Sequence, residues 1–224
     1  MLHLSQERIA RPMMLIGQYD SPFVRRVGIA LRLHGMAFDH APWSTFGDAG
    51  KIAAYNPLIR VPTLVFDDGV ALMDSAAILD VLDEMAGPGR ALIAPAGPDR
   101  REALRLIALA SGAADKAVSL LYERALRSEA LDVWVDRCRA QVTGALGALE
   151  AARAARTTPW LFGGTIGHAD ILVATMLRFV REALPGVFDL DAWPALAAHA
   201  AACEAMAVFQ EISQPYRLVK PGEG

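Results

Sequence analysis

The sequence predicts an α/β domain built on a mixed four-stranded sheet, followed by an all-α domain. Three observations carry this. Four short apolar runs of strand length fall within the first 87 residues, interleaved with helical patterns. A segment with three prolines and three glycines, Gly87 to Pro98, then interrupts the chain. Beyond it strand signals stop, and long Ala/Leu/Arg-rich stretches favour helix.

Met13-Met14-Leu15-Ile16 reads as a buried strand ending at Gly17. Ser21-Pro22 then opens a helix, a hydroxyl N-cap followed by proline at the first helical position. Phe23, Val27, Ala30, Leu31 and His34 follow at helical spacing, and Gly35 ends it. Phe38 to Ala41 is a second strand, and Lys51 to Tyr55 a short helix ending before Asn56-Pro57. Pro62–Phe66 and Val70–Leu72 form a hairpin around Asp67-Asp68-Gly69, and a helix runs from Asp74 to about Met85. Strand-helix-strand demands parallel pairing and the hairpin antiparallel pairing, so one mixed sheet holds both. This is the element order of a thioredoxin-like domain.

Helices are expected over Asp99 to about Arg127, Glu129 to about Arg156, and His168 to about Leu184. Two shorter ones follow near Trp193–Ala201 and Ala205–Ser213, with an irregular tail from Pro215. The division is therefore an extension over 1–12, a thioredoxin-like domain over 13–87, a linker over 88–98 and a helical domain over 99–224. No internal repeat is visible.

Bulk properties narrow the function classes. The chain has 224 residues, 54% hydrophobic, enough for one large or two small cores. Its 22 basic and 25 acidic side chains leave a net charge of −3, without the basic excess that phosphate binding needs, so nucleic acid is not an expected partner. Cys138 and Cys203 stand far apart with no CxxC or Cys/His cluster. They read as buried, inert thiols, and neither disulfide nor metal site is expected. Met1 to Pro12 lacks the apolar run of a signal peptide or membrane span, so a cytoplasmic protein with no membrane association is expected.

Four local motifs join this order: Ser21-Pro22-Phe23-Val24-Arg25, Asn56-Pro57 with Arg60-Val61-Pro62, Asp74-Ser75, and Ala169-Asp170. Together they resemble the soluble glutathione transferase superfamily, serine-type bacterial members in particular, over about Met13 to Tyr216. The resemblance implies a homodimer that binds glutathione as co-substrate in its first domain. The second domain would supply a largely apolar electrophile pocket, with no metal or redox cofactor.

Ser21 is the catalytic candidate. Relatives place Ser, Tyr or Cys here to act on the glutathione thiol. The reactive species is thiolate, and a free thiol has a pKa of roughly 8.5. A hydroxyl hydrogen bond to sulfur favours the charged form, and the helix N-terminus adds positive potential. The alternative is a simple N-cap with Pro22 behind it; both can hold at once, but a pure cap would not need this motif context. Tyr19, two residues earlier, is the rival donor, expected to pack or to line the substrate side. The absence of Cys at position 21 argues against the disulfide-exchanging subfamilies.

The resemblance implies that Val61 precedes a cis proline and that its backbone pairs with the cysteinyl backbone of glutathione. Arg60 stands where relatives reach the glycyl carboxylate, though a solvated arginine fits the sequence equally well. Ser75 would hold the γ-glutamyl carboxylate at a helix N-terminus, with Asp74 orienting the amine or capping. Asp170 belongs to a folding motif: relatives carry Ser or Thr three residues earlier as a reciprocal capping box, where this chain has Gly167. His168 is expected at the surface or in the first turn. Tyr122 and Ser111 could face the electrophile pocket. Trp43, Trp134, Trp160 and Trp193 are expected in cores or interfaces. Two other readings remain: a glutathione-dependent isomerase of maleyl-type compounds, and a non-catalytic protein-binding module on the same fold.

Overall fold

The computed structural model of the protein describes residues 12–218. The expected N-terminal extension therefore lies, apart from Pro12, outside the described residues.

Strand β1 (Met13–Ile16), helix α1 (Pro22–His34) and strand β2 (Phe38–Ala41) form the first unit. β1 pairs in parallel with β2, Met13 opposite Phe38 and Ile16 opposite Ala41. After α2 (Ala49–Ala53) come β3 (Thr63–Val65), β4 (Ala71–Met73) and α3 (Ser75–Ala86). β3 runs antiparallel to both β1 and β4, giving the order β2-β1-β3-β4. The β3–β4 turn is closed by Gly69 N–H on the Phe66 carbonyl and by Val70 N–H on Asp68 Oδ1, an Asx turn. Leu15, Val27, Leu31, Leu64, Ile78 and Leu82 form the core between sheet and helices.

The second region is helical: α4 (Gly97–Leu126), α5 (Asp132–Ala154), α6 (His168–Ala183), α7 (Pro194–Glu204) and α8 (Ala207–Glu211). Alanines 103, 110, 113, 114 and 117 form the buried face of α4. Small side chains there let neighbouring helices approach closely. α6 is buried along most of its length, with only Arg178, Arg181 and Glu182 outside the buried set. No described helix is long and apolar enough to cross a membrane. Cys138 and Cys203 are both free and buried.

Three devices join the two regions. Ile29 of α1 packs with Ile171 and Ala174 of α6, and with Phe209 and Ile212. Burying each such side chain contributes about 1.5–3 kcal/mol. Arg25, 2% exposed, donates Nη1 and Nη2 to the two Glu204 oxygens at 2.5 and 2.7 Å, and also reaches the Phe209 and Ile212 carbonyls. Asp83 of α3 accepts from His34 Nε2 and His168 Nε2, both at 3.1 Å, and from Leu92 N–H. Burial pushes the Asp83 carboxyl up. The His168 bond and charge, the Leu92 amide and the His34 charge outweigh this and hold it below the usual carboxylate range.

Of the two places the sequence offered for His168, the structure takes the first turn and not the surface. It is buried because the Asp83 carboxylate draws its imidazole into the interface. Gly167 also acquires a reason. Asp170 Oδ2 accepts the Gly167 N–H at 2.9 Å, so half of the capping box survives. A Cβ at position 167 would stand 2.8 Å from the Leu92 carbonyl oxygen, which accepts the His168 N–H. The connection between the two regions thus runs where a serine or threonine side chain would begin. Gly167→Ala is expected to destabilise the protein by about 1–3 kcal/mol in denaturant unfolding, since backbone on both sides must shift. An unchanged midpoint would show that the Leu92 segment yields freely.

A second buried cluster gives a pH prediction. His199, 3% exposed, stands 3.4 Å from Asp170 Oδ1 and 3.8 Å from the Cys203 sulfur. Burial, aided by the Arg153 charge, lowers its pKa from 6.5 to about 4. The folded state thus resists a proton that the unfolded chain accepts below about pH 6.5. Stability from this group is complete above that pH and drains as pH falls from 6.5 to about 4, by about 3 kcal/mol. His199→Gln should flatten this part of the stability–pH curve. An unaltered slope would assign the acid loss to other groups.

Candidate active site

A cleft of about 420 Å³ opens between the β1–α1 end of the sheet domain and the α4 and α6 side of the helical domain. Local geometry explains why it forms there. Gly17 has φ +127°, and a Cβ on it would meet Val24 Cγ2 at 2.5 Å and Val61 Cβ at 2.7 Å. Only glycine lets the end of β1, the start of α1 and the Val61 loop converge.

Ser21 is the N-cap of α1, with φ −72° and ψ 124°. Its Oγ accepts the Val24 N–H at a long 3.4 Å, so the cap bond is weak and the hydroxyl proton is not used by it. Ser21, Arg60 and Val61 all line the cleft. The Val61-Pro62 peptide is cis. Among the described residues, the Val61 backbone N–H and C=O make no hydrogen bond within the protein. The loop before it is held by buried Asn56, whose Nδ2 donates to the Arg60 carbonyl at 2.9 Å and to Thr63 Oγ1 at 3.0 Å.

Asp74 and Ser75 begin α3. Asp74 holds φ 72° and ψ 120°, a sparsely populated backbone for a residue with a side chain, and its Oδ1 accepts the Ala76 N–H at 2.8 Å. Ser75 is buried and its Oγ accepts from Arg26 Nη2 at 2.5 Å. A guanidinium can only donate, so the Ser75 hydroxyl proton stays free for another acceptor.

Arg26 is the main residue that sequence reasoning missed. It is 2% exposed and its Nε has no partner. Burial pulls the guanidinium down to about 10, against the opposing charges of Asp74 and Asp115. Asp115 of α4 lines the cleft; desolvation raises its carboxyl, opposed by Arg60. Two carboxylates and two guanidiniums thus act on one another around the start of α3. The spacing Asp115, Val118, Tyr122 on α4 carries the signal, since i, i+3, i+7 share one face.

Tyr19 does not line the cleft. Its ring stacks on His40 with centroids 3.8 Å apart, and burial pushes its phenol up to about 12. Of the two α4 candidates, Tyr122 lines the cleft and meets Phe46 edge-on at 5.5 Å, whereas Ser111 is not among the lining residues. Trp43 lines the cleft beside Tyr55, while Trp134, Trp160 and Trp193 pack against apolar clusters.

The irregular tail supplies the remaining wall, which the sequence did not disclose. Tyr19 N–H donates to Gln214 Oε1, Tyr216 N–H to Glu182 Oε2, and Arg217 N–H to Asp20 Oδ2. Tyr216, Arg217 and Leu218 are thereby drawn over the cleft.

Residues 15–90 match the family model of the glutathione S-transferase N-terminal domain, and residues 132–202 that of its C-terminal domain. The chain is 30% identical over 182 residues to the uncharacterised GST-like protein YibF of Escherichia coli K12, covering 78% of this chain and 86% of that one. The protein belongs to the glutathione S-transferase superfamily. The chain is also similar to the maleylacetoacetate isomerase of Pseudomonas aeruginosa, 31% identical over 193 residues, 81% of this chain and 86% of the relative. Among solved structures, a glutathione S-transferase of Methylobacterium radiotolerans, in complex with glutathione sulfonate, superposes with a TM-score of 0.86 at 25% identity, over 94% of this chain and 98% of that one. One from Methylobacillus flagellatus with glutathione bound gives 0.82 at 27% identity, over 91% and 100%. The glutathione S-transferase fold thus accounts for both regions of the chain and for the cleft between them.

Proposed function

We propose that this protein is a glutathione transferase, joining the glutathione thiolate to a small electrophile with a largely apolar body. The observation that carries the reading is Ser21. Its hydroxyl stands at the N-terminus of α1, in a cleft, with its proton uncommitted. That is the donor a thiolate needs, at the place where helix dipole and free N–H groups favour negative charge.

Glutathione would lie extended along the Val61 edge, its cysteinyl backbone meeting the unpaired Val61 N–H and C=O as an added strand does. Ser75 would donate to the γ-glutamyl carboxylate, with the Arg26 charge beneath it. Asp74 would face the α-ammonium, and Arg60 the glycyl carboxylate. Two solved relatives that hold glutathione or its sulfonate support glutathione as the ligand. The reaction is attack by the sulfur pair on electrophilic carbon, with proximity and thiolate formation as the sources of rate. Residues 13–87 would serve glutathione and 99–224 the electrophile, in a cytoplasmic homodimer.

A second reading, a glutathione-dependent isomerase, is favoured by the similarity to the Pseudomonas isomerase. It would use the same thiolate without consuming it. Calorimetric titration of reduced glutathione into the wild type and Ser21→Ala, with the thiolate ultraviolet band followed near neutral pH, tests the proposal. Binding with thiolate in the wild type, and binding without thiolate in the variant, is the expected pair. A wild type that does not bind would turn the search to protein partners.

A further inference from the structure

The tail that closes the cleft is fixed at both ends of its short course. Ser213 Oγ accepts from Arg178 Nη1 at 2.7 Å, and farther on Tyr216 and Arg217 each give their backbone N–H to a carboxylate, on Glu182 and Asp20. These bonds hold the backbone and leave the side chains over the electrophile side. Among the described residues the Arg217 guanidinium has no carboxylate within ion-pair distance. Asp20, the nearest acid in its bonding pattern, accepts the Arg217 backbone N–H on Oδ2. Beside Arg217, the Tyr216 hydroxyl is buried with no partner among the described residues. This wall therefore carries two unused donors. The rest of the lining includes Phe23, Phe46, Val118 and Leu121, with Phe179 packed edge-on against Tyr216 at 5.8 Å, and these apolar side chains suit an aryl or alkyl body.

We propose that the electrophile taken by this cleft bears an acidic group, a carboxylate, which Arg217 receives and so sets substrate choice. This inference rests on the transferase reading. An arginine is suited to that partner because its planar fork meets both carboxylate oxygens. Tyr216 supplies a neighbouring donor for which an incoming acceptor would remove a buried, unsatisfied group. Asp20 contributes negative charge nearby, with its Oδ2 taken by the Arg217 backbone N–H and no ion pair to the guanidinium among the described residues.

The test compares 4-chloro-3-nitrobenzoate with 4-chloro-3-nitrobenzamide as probes, using reduced glutathione and the full chain. In each, the thiolate sulfur pair forms the C–S bond, chloride leaves with the C–Cl pair, and the thiol proton passes to solvent. The quantity read is the ratio of kcat/KM for acid over amide. Comparing that ratio between variants cancels both intrinsic reactivity and any change in glutathione binding. Arg217→Gln should lower the ratio about two- to five-fold, the scale of an exposed charge pair, and Arg217→Glu should lower it further. Raising the salt concentration should lower it in the wild type but not in Arg217→Gln. Amide turnover with the same ratio in all three proteins would overturn the acidic-electrophile assignment alone. No turnover of either probe, with no glutathione binding, would overturn the transferase reading and this one with it.

Discussion

Ser21→Ala is expected to lose about ten-fold in kcat/KM near pH 7, the scale of a thiol left only a few per cent to a tenth ionised, while binding glutathione within a few-fold of the wild type. The contacts proposed for binding, at Val61 and Ser75, lie on other elements and are untouched. What is removed is the donor facing sulfur. The α1 dipole and its free N–H groups remain, so the thiol pKa should rise only part of the way back toward roughly 8.5. The gap between variant and wild type should accordingly narrow as pH is raised to 9, where an unassisted thiol ionises by itself. That pH dependence separates catalysis from capping. A serine acting only as N-cap would show stability loss, below about 1 kcal/mol given its 3.4 Å bond, with no pH-dependent rate defect. The measurement is a kcat/KM profile from pH 6 to 9 beside a denaturant curve. A uniform rate loss at every pH would assign Ser21 to positioning of the peptide rather than to ionisation of its sulfur.

Where the controlling contacts are local, the sequence discloses them. Ser21-Pro22 and Gly35 bracket α1 within a residue because caps are decided by neighbours. The hairpin around Asp67-Asp68-Gly69 is equally self-contained, although β3 is shorter than the run Pro62–Phe66, since proline has no N–H for the ladder. Ser21, Arg60 and Val61 share one cleft, and Asp74-Ser75 stands at the start of α3. What stayed hidden depends on distant partners. His168 is buried because Asp83, 85 positions away, accepts its proton. Arg217 reaches the site through Asp20, 197 positions away, and no periodicity predicts where an irregular tail will lie. Arg25 and Arg26 illustrate the harder case. Nothing in the sequence pattern assigns adjacent arginines to the interior, yet both are 2% exposed, one locked to α7 and the other beneath Ser75.

Arg25 leads to the largest stability effect expected. Glu204→Ala should destabilise the protein by about 3–5 kcal/mol, because it strips a buried guanidinium of both carboxylate bonds. The remaining bonds, to the Ile212 and Phe209 carbonyls, satisfy donors but do not neutralise the charge. Glu204 also holds Arg178 at 3.3 Å, and Arg178 in turn binds Ser213 and the Gln214 carbonyl, so the tail over the cleft loosens with it. A double variant, Arg25→Met with Glu204→Leu, should recover much of the loss, since it removes the buried charge together with its partner. Chemical denaturation of the single and double variants reads both effects. A loss below 1 kcal/mol for Glu204→Ala would mean that the pair behaves as an ordinary surface ion pair. The arginine four residues into α1 would then be held by packing alone. If the larger value holds, the residue following Ser21-Pro22-Phe23-Val24 has its role in joining α1 to the end of the helical domain. That joint fixes the angle at which the N-terminus of α1, and Ser21 with it, faces the electrophile side of the cleft.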